Sequence, residues 1–231
     1  MTRLNASLAI AAFSSLLPSL AQAHVSVASG VGFANTTQEV VFSVGHGCEG
    51  ADTNAVSIEI PAGVTSVRPE TSDFGQVDIE TDEAGSVVLV SWQKSEAAAL
   101  ASDTQYYKLA VRLKIPDAPF STLFFPAHQT CRAADGTISV VDWVGLEATE
   151  SGSVEPAPAV YVVPARFPGW NQFSVAQDVS DLSVFFKDAQ IVWKDSAAYS
   201  INPTTVTLIK GTSGVTLLSS LTTGDSIWVK Y

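Results

Sequence analysis

Tyr107-Lys108-Leu109-Ala110-Val111-Arg112-Leu113-Lys114-Ile115 decides the fold class of this 231-residue chain. Tyr107, Leu109, Val111, Leu113 and Ile115 fall at every second position, with Lys108, Arg112 and Lys114 between them. That period puts the apolar set on one side of a pleated strand and the cations on the other. Val56-Ser57-Ile58-Glu59-Ile60 repeats the pattern, and β-branched or alternating stretches recur at residues 39–44, 76–80, 86–92, 137–143 and 159–163. Turn residues punctuate them, as in Pro61-Ala62-Gly63, Asp82-Glu83-Ala84-Gly85 and Ala134-Asp135-Gly136. So many short strands in one stretch predict an antiparallel β-sandwich of the immunoglobulin or fibronectin type over residues 24–164. An alanine-rich segment, 95–103, predicts one short helix between strands.

The texture changes near Pro164-Ala165-Arg166-Phe167-Pro168-Gly169. Residues 165–231 are expected to form a small α+β module. It would have a helix at 175–186, a strand at 190–194, a helix at 203–209 and a closing strand at 226–231. Asn202 caps the second helix and Pro203 occupies its first position.

The other end carries a secretory leader. Arg3, an apolar run over residues 4–20 and the small-x-small triplet Ala21-Gln22-Ala23 predict cleavage after Ala23, and so a periplasmic or secreted protein. The mature chain would begin at His24. A leading histidine has a free α-amine beside its imidazole, and the two nitrogens chelate one metal ion. The amine has a reference pKa near ~8 and the imidazole near ~6.5, so both yield their protons to a competing cation around neutral pH. Beyond the leader no stretch approaches the ~20 apolar residues needed to span a membrane.

The chain has a formal net charge of −11, and losing the leader removes Arg3 but no acid. This acidity argues against nucleic acid or an anionic membrane surface as partner. The one methionine is Met1, and the two cysteines are Cys48 and Cys131. In an oxidising compartment that pair is expected as a disulfide, contributing roughly 4–5 kcal/mol on the chain-entropy model. Neither thioether nor thiolate then remains for Cu(I), so a copper site must use nitrogen and oxygen, which favours Cu(II).

All three histidines precede residue 129: His24, His46 in Gly45-His46-Gly47-Cys48, and His128 three residues before Cys131. His46 and His128 either serve backbone groups near the bridge or supply a second imidazole to His24. Trp143 ends an expected strand and is followed by Glu147, Glu150 and Glu155. A carboxylate suits Cu(II), and an indole can shield a metal from water.

These residues resemble the YcnI-like copper-binding family. The resemblance is carried by His24-Val25, Gly45-His46-Gly47-Cys48-Glu49-Gly50 with Thr53, and Ile60-Pro61-Ala62-Gly63-Val64. It continues through Gln129-Thr130-Cys131, Asp135-Gly136, Asp142-Trp143 and Glu155-Pro156-Ala157-Pro158. It implies a β-sandwich that binds Cu(II) through a single-histidine brace. His24 would supply amine and imidazole, Glu155 an oxygen, and Trp143 would lie close to the metal. The interval from Trp143 to Glu155 is long for the family, which keeps Glu147 and Glu150 as alternatives. Gly169-Trp170-Asn171 and Ile227-Trp228-Val229-Lys230-Tyr231 resemble a C-terminal extension of some exported relatives, to which the resemblance assigns no role.

The expected function is non-catalytic: Cu(II) buffering, trafficking or delivery, with a copper-transport or copper-chaperone protein as partner. Two alternatives stand beside it. One is an oxidative copper enzyme resembling lytic polysaccharide monooxygenases, which also use an N-terminal histidine brace. The other is a metal-free adhesion or scaffold module.

Overall fold

A computed structural model describes residues 24–146 and 155–231. Among the described residues, thirteen strands precede residue 164: β1 (Val25–Val27), β2 (Gly32–Phe33), β3 (Thr37–Val44), β4 (Asp52–Glu59), β5 (Thr65–Pro69), β6 (Gln76–Thr81), β7 (Val87–Gln93), β8 (Tyr107–Lys114), β9 (Thr122–Phe124), β10 (Ala127–Arg132), β11 (Ile138–Gly145), β12 (Glu155–Pro156) and β13 (Ala159–Val163). They form a four-stranded sheet ordered β1-β3-β8-β5, a six-stranded sheet ordered β12-β11-β10-β4-β7-β6, and a small sheet ordered β2-β13-β9. The large sheets pair antiparallel except at β11–β12.

The alternation that predicted β8 is what buries it. Tyr107, Leu109, Val111 and Leu113 all point into the core, beside Val40, Phe42 and Val44 of β3 and facing Val56, Ile58, Val90 and Trp92. Each such side chain contributes about 1.5–3 kcal/mol on burial. At one end of the core lies an ionic cluster. Lys94 Nζ reaches Asp52 Oδ2 at 2.6 Å and Tyr107 Oη at 2.7 Å, and Tyr107 donates to Asp52 Oδ1 at 2.6 Å. Lys94 and Asp52 are both buried, and the ammonium lies over the Tyr107 ring. Burial, then the bond to Asp52, holds the Tyr107 phenol well above its ordinary range.

The expected helix at 95–103 shrinks to a 3-10 turn at Glu96–Ala98. The amides that would have continued it are spent elsewhere: Leu100 N–H on Asp52 Oδ2, and Asp103 N–H on the Gly50 carbonyl. Cys48 and Cys131 are joined, tying the segment after β3 to β10. Gly47 is required in that segment, because a Cβ there would run into the Ala51 carbonyl.

The C-terminal residues build a second core around β14 (Trp170–Ser174), α1 (Ser183–Phe186), β15 (Ile191–Lys194), β16 (Ala197–Tyr199), α2 (Pro203–Gly211), β17 (Thr216–Leu217) and β18 (Ser226–Lys230). The strands order as β14-β18-β15-β16-β17. Asn202 caps α2 through the amides of Thr204 and Thr205, as its sequence signature predicts. The helix expected over 175–186 is confined to Ser183–Phe186. Val179 instead forms a β-bridge with Leu221, and Asp178 Oδ1 accepts from the Thr223 amide and hydroxyl. Long-range partners outcompete the local helix. Among the described residues no helix is long and apolar enough to cross a membrane.

Candidate metal site

The site forms where β1 begins, beside Trp143 near the C-terminal end of β11. Val25 pairs with Val44, which fixes where the backbone enters the sandwich and leaves His24 exposed at the rim. The His24 ring lies 5.2 Å from the Trp143 ring, centroid to centroid, inclined at 52°. Trp143 is only 1% exposed, so its indole makes a floor and the imidazole sits above it on the wet side. Trp143 is also the register partner of Glu155, through the parallel pairing of β11 with β12. Register partners share a face, so Glu155 stands on the strand beside the indole that His24 contacts.

Gln129 fixes the floor from below. It is completely buried on β10, and its Oε1 accepts from Trp143 Nε1 at 3.2 Å. Its amide nitrogen donates to the His46 carbonyl at 2.8 Å and to Thr53 Oγ1 at 2.9 Å. One amide thus joins the indole, strand β4 and the segment pinned by the disulfide. Sequence reasoning did not single out Gln129 for this role, although a signal was present. Cys131 must point inward to reach Cys48, and alternation then points Gln129 inward and His128 outward.

His46 is exposed, and it is its carbonyl that Gln129 holds. His128 stands on the outer face of the six-stranded sheet, opposite to the buried Trp143. Its Nδ1 lies 2.7 Å from Asp142 Oδ1 and its Nε2 lies 3.1 Å from Glu59 Oε1. The bond to Asp142, supported by Glu59, raises the His128 pKa above its ordinary 6.5 against the opposing effect of burial. His128 therefore bonds carboxylates across β4, β10 and β11 rather than backbone groups near the bridge.

The sulfur inventory is as the composition required: Cys48 and Cys131 form a disulfide. Glu147 and Glu150 lie outside the described residues. Among the described residues, no three His, Cys, Asp or Glu side chains converge as a ready-made cage for a cation. A brace needs no such cage, since one residue provides both nitrogens. The donor set at this rim fits that chemistry: an exposed imidazole, a carboxylate on the neighbouring strand, and an indole floor.

A model of the domain family described as "Domain of unknown function (DUF1775)" matches residues 24–162. Among solved structures, the chain is similar to an uncharacterized protein from Nocardia farcinica with an immunoglobulin-like fold. The two are 26% identical over 61% of this chain and 98% of that one, with a TM-score of 0.51. A chain of a type I cohesin–dockerin complex from Clostridium thermocellum is also similar, at 10% identity over 60% of this chain and 97% of that one, with a TM-score of 0.37. No curated protein sequence matches the chain. The immunoglobulin-like sandwich expected from strand alternation is thus the fold of the described residues before 164.

Proposed function

The chain belongs to the DUF1775 family, whose function is unknown, and on that footing we propose that it is an exported Cu(II)-binding protein that buffers copper or delivers it to a partner. The contact between His24 and Trp143 carries this reading, together with the register that sets Glu155 beside the same indole. Copper is the cargo. Once Ala23 is removed, the His24 amine and imidazole would grip it, Glu155 would offset its charge, and Trp143 would shield one side from water. Cu(II) stands at the top of the divalent affinity series, so a nitrogen chelate selects it over Zn(II) without special geometry. The YcnI-like resemblance points to the same set of residues. An oxidative enzyme built on this brace would call for a second imidazole, and His128 is engaged by Asp142 and Glu59 on the other face of the sheet.

The test is direct. The exported protein is isolated, its first residue is established by mass spectrometry, and Cu(II) is titrated while electron paramagnetic resonance is recorded. Nitrogen hyperfine structure consistent with one amine and one imidazole is expected, along with quenching of Trp143 fluorescence. A variant that keeps one extra residue before His24 should lose most of its affinity. Equal affinity in that variant, or a mature chain starting elsewhere, overturns the reading.

A further inference from the structure

The C-terminal module presents a second feature, independent of the copper reading. Trp170, Trp193, Trp228 and Asp195 line a shallow concavity of about 340 Å³ on the outer face of the five-stranded sheet. The arrangement follows from the register: Trp193 of β15 is the direct partner of Trp228 on β18, and Gln172, two residues after Trp170 on β14, is the partner of Trp228 from the other side. Trp170 and Trp228 are 52% and 48% exposed, while the other faces of β15 and β18 bury Val192, Ile227 and Val229. A sheet that already buries one apolar face has no folding reason to put three of the chain's five tryptophans on the other.

The carboxylate gives this apolar hollow a sign. Asp195 occupies the tight turn between β15 and β16, exposed at the edge of the concavity, with a positive φ of 50°. Its neighbour Lys194 is engaged by Asp225 at 2.6 Å, and among the described residues Asp195 forms no salt bridge. The faces of indole rings are themselves electronegative, and the whole chain carries a net charge of −11. The hollow is therefore both apolar and negative. A sodium or ammonium ion would have to shed tightly bound water to enter it. A trimethylammonium group, whose positive charge is spread over an apolar skin, matches both properties. Lys230, the register partner of Trp170, stands on the same sheet face but does not line the concavity.

We propose that the hollow formed by Trp170, Trp193, Trp228 and Asp195 binds a quaternary ammonium group of the choline type. That group is shared by a free solute and by a phosphatidylcholine headgroup, and the experiment separates the two sources. Choline is titrated into the metal-free full chain by calorimetry while the indole N–H resonances are followed by NMR. Saturable binding is expected, shifting three of the five indole signals. The uncharged carbon isostere 3,3-dimethylbutan-1-ol should bind at least ~tenfold more weakly, as should choline to Trp228→Ala. Asp195→Asn should weaken choline binding several-fold, by roughly the loss of one short-range charge pair, and Lys230→Gln should strengthen it.

Co-sedimentation with phosphatidylcholine vesicles, but not with phosphatidylglycerol vesicles, identifies the lipid headgroup as source. Choline binding without co-sedimentation identifies a free solute. Equal binding of choline and its neutral isostere overturns the proposal, as does the absence of choline binding by the wild-type chain. So does preferential binding of a neutral oligosaccharide, unchanged in Lys230→Gln. Copper titration of the same preparation reports on His24 separately, so either reading can fail without the other.

Discussion

Gln129 shows how much one buried side chain can decide. Its amide satisfies Trp143 Nε1, the His46 carbonyl and Thr53 Oγ1 at once. Gln129→Leu keeps the volume and strands all three, so a loss of about 2–4 kcal/mol is expected in urea unfolding. The proposed copper affinity should fall with it, because the indole under His24 loses its anchor. His128 makes a smaller, pH-dependent contribution. Its folded pKa is raised, so its stabilisation is fully present below the ordinary value of 6.5 and disappears as pH rises through the higher folded value. His128→Gln should therefore lower the melting temperature more at about pH 5.5 than at about pH 8.5. The effect should be modest, since Glu59 and Asp142 are half exposed and solvent screens the pairs. The opposite sign would show that His128 is not held as a cation by those carboxylates. Of the site itself, period-two alternation made the inward Gln129 and outward His128 legible. The meeting of His24 with Trp143 was not, because a contact across 119 positions has no local signature and entered only through the family resemblance.

At the scale of elements, β8 was readable because it has one wet face and one packed face along its whole length, and β4 because its second half, Ala55–Glu59, alternates in the same way, although Asp52, Thr53 and Asn54 before it are all buried. β10 was not. Ala127-His128-Gln129-Thr130-Cys131-Arg132 buries a glutamine and a cysteine on its inner face, so its alternation does not show as hydrophobicity. The segment 175–186 misled in the other direction. Its apolar spacing suited a helix, but Asp178 and Asp181 spend their carboxylates on Thr223 and Ser183. The link between β4 and the segment after β7 depends on a buried ion pair, which gives a sharp expectation. Lys94→Met leaves the Asp52 carboxylate with Tyr107 and the Leu100 amide but no cation, at a cost of about 3–5 kcal/mol. Chemical denaturation of the single variant measures it. A loss below about 1 kcal/mol would mean the pair is hydrated and behaves like a surface bridge.

Across the whole molecule, Phe120 is the residue of the first lobe most deeply set in the second core, with Tyr161 against Phe185 and Val163 packing beside it. Phe120 lies between β8 and β9, yet it is 1% exposed and packs with Phe173, Phe185 and Phe186 of the C-terminal lobe. It is held at a positive φ of 63°, a conformation a phenylalanine adopts only when its surroundings compensate. Thr122 N–H donating to Gln177 Oε1, and Ala176 N–H to the Pro119 carbonyl, fasten the same junction. Phe120→Ala removes the ring and leaves a cavity in the smaller core, so a loss of about 3–5 kcal/mol is expected there. Because the sandwich core is assembled from other residues, the loss should be local. Hydrogen exchange should accelerate across residues 170–231 while β3, β4 and β8 keep their protection. The proposed Cu(II) binding at His24 should persist in the same variant, since Trp143 belongs to the sandwich core and Gln129 bonds only within the sandwich. Uniform loss of protection would instead show that the two lobes fold as a single cooperative unit, with Phe120 as part of one continuous core.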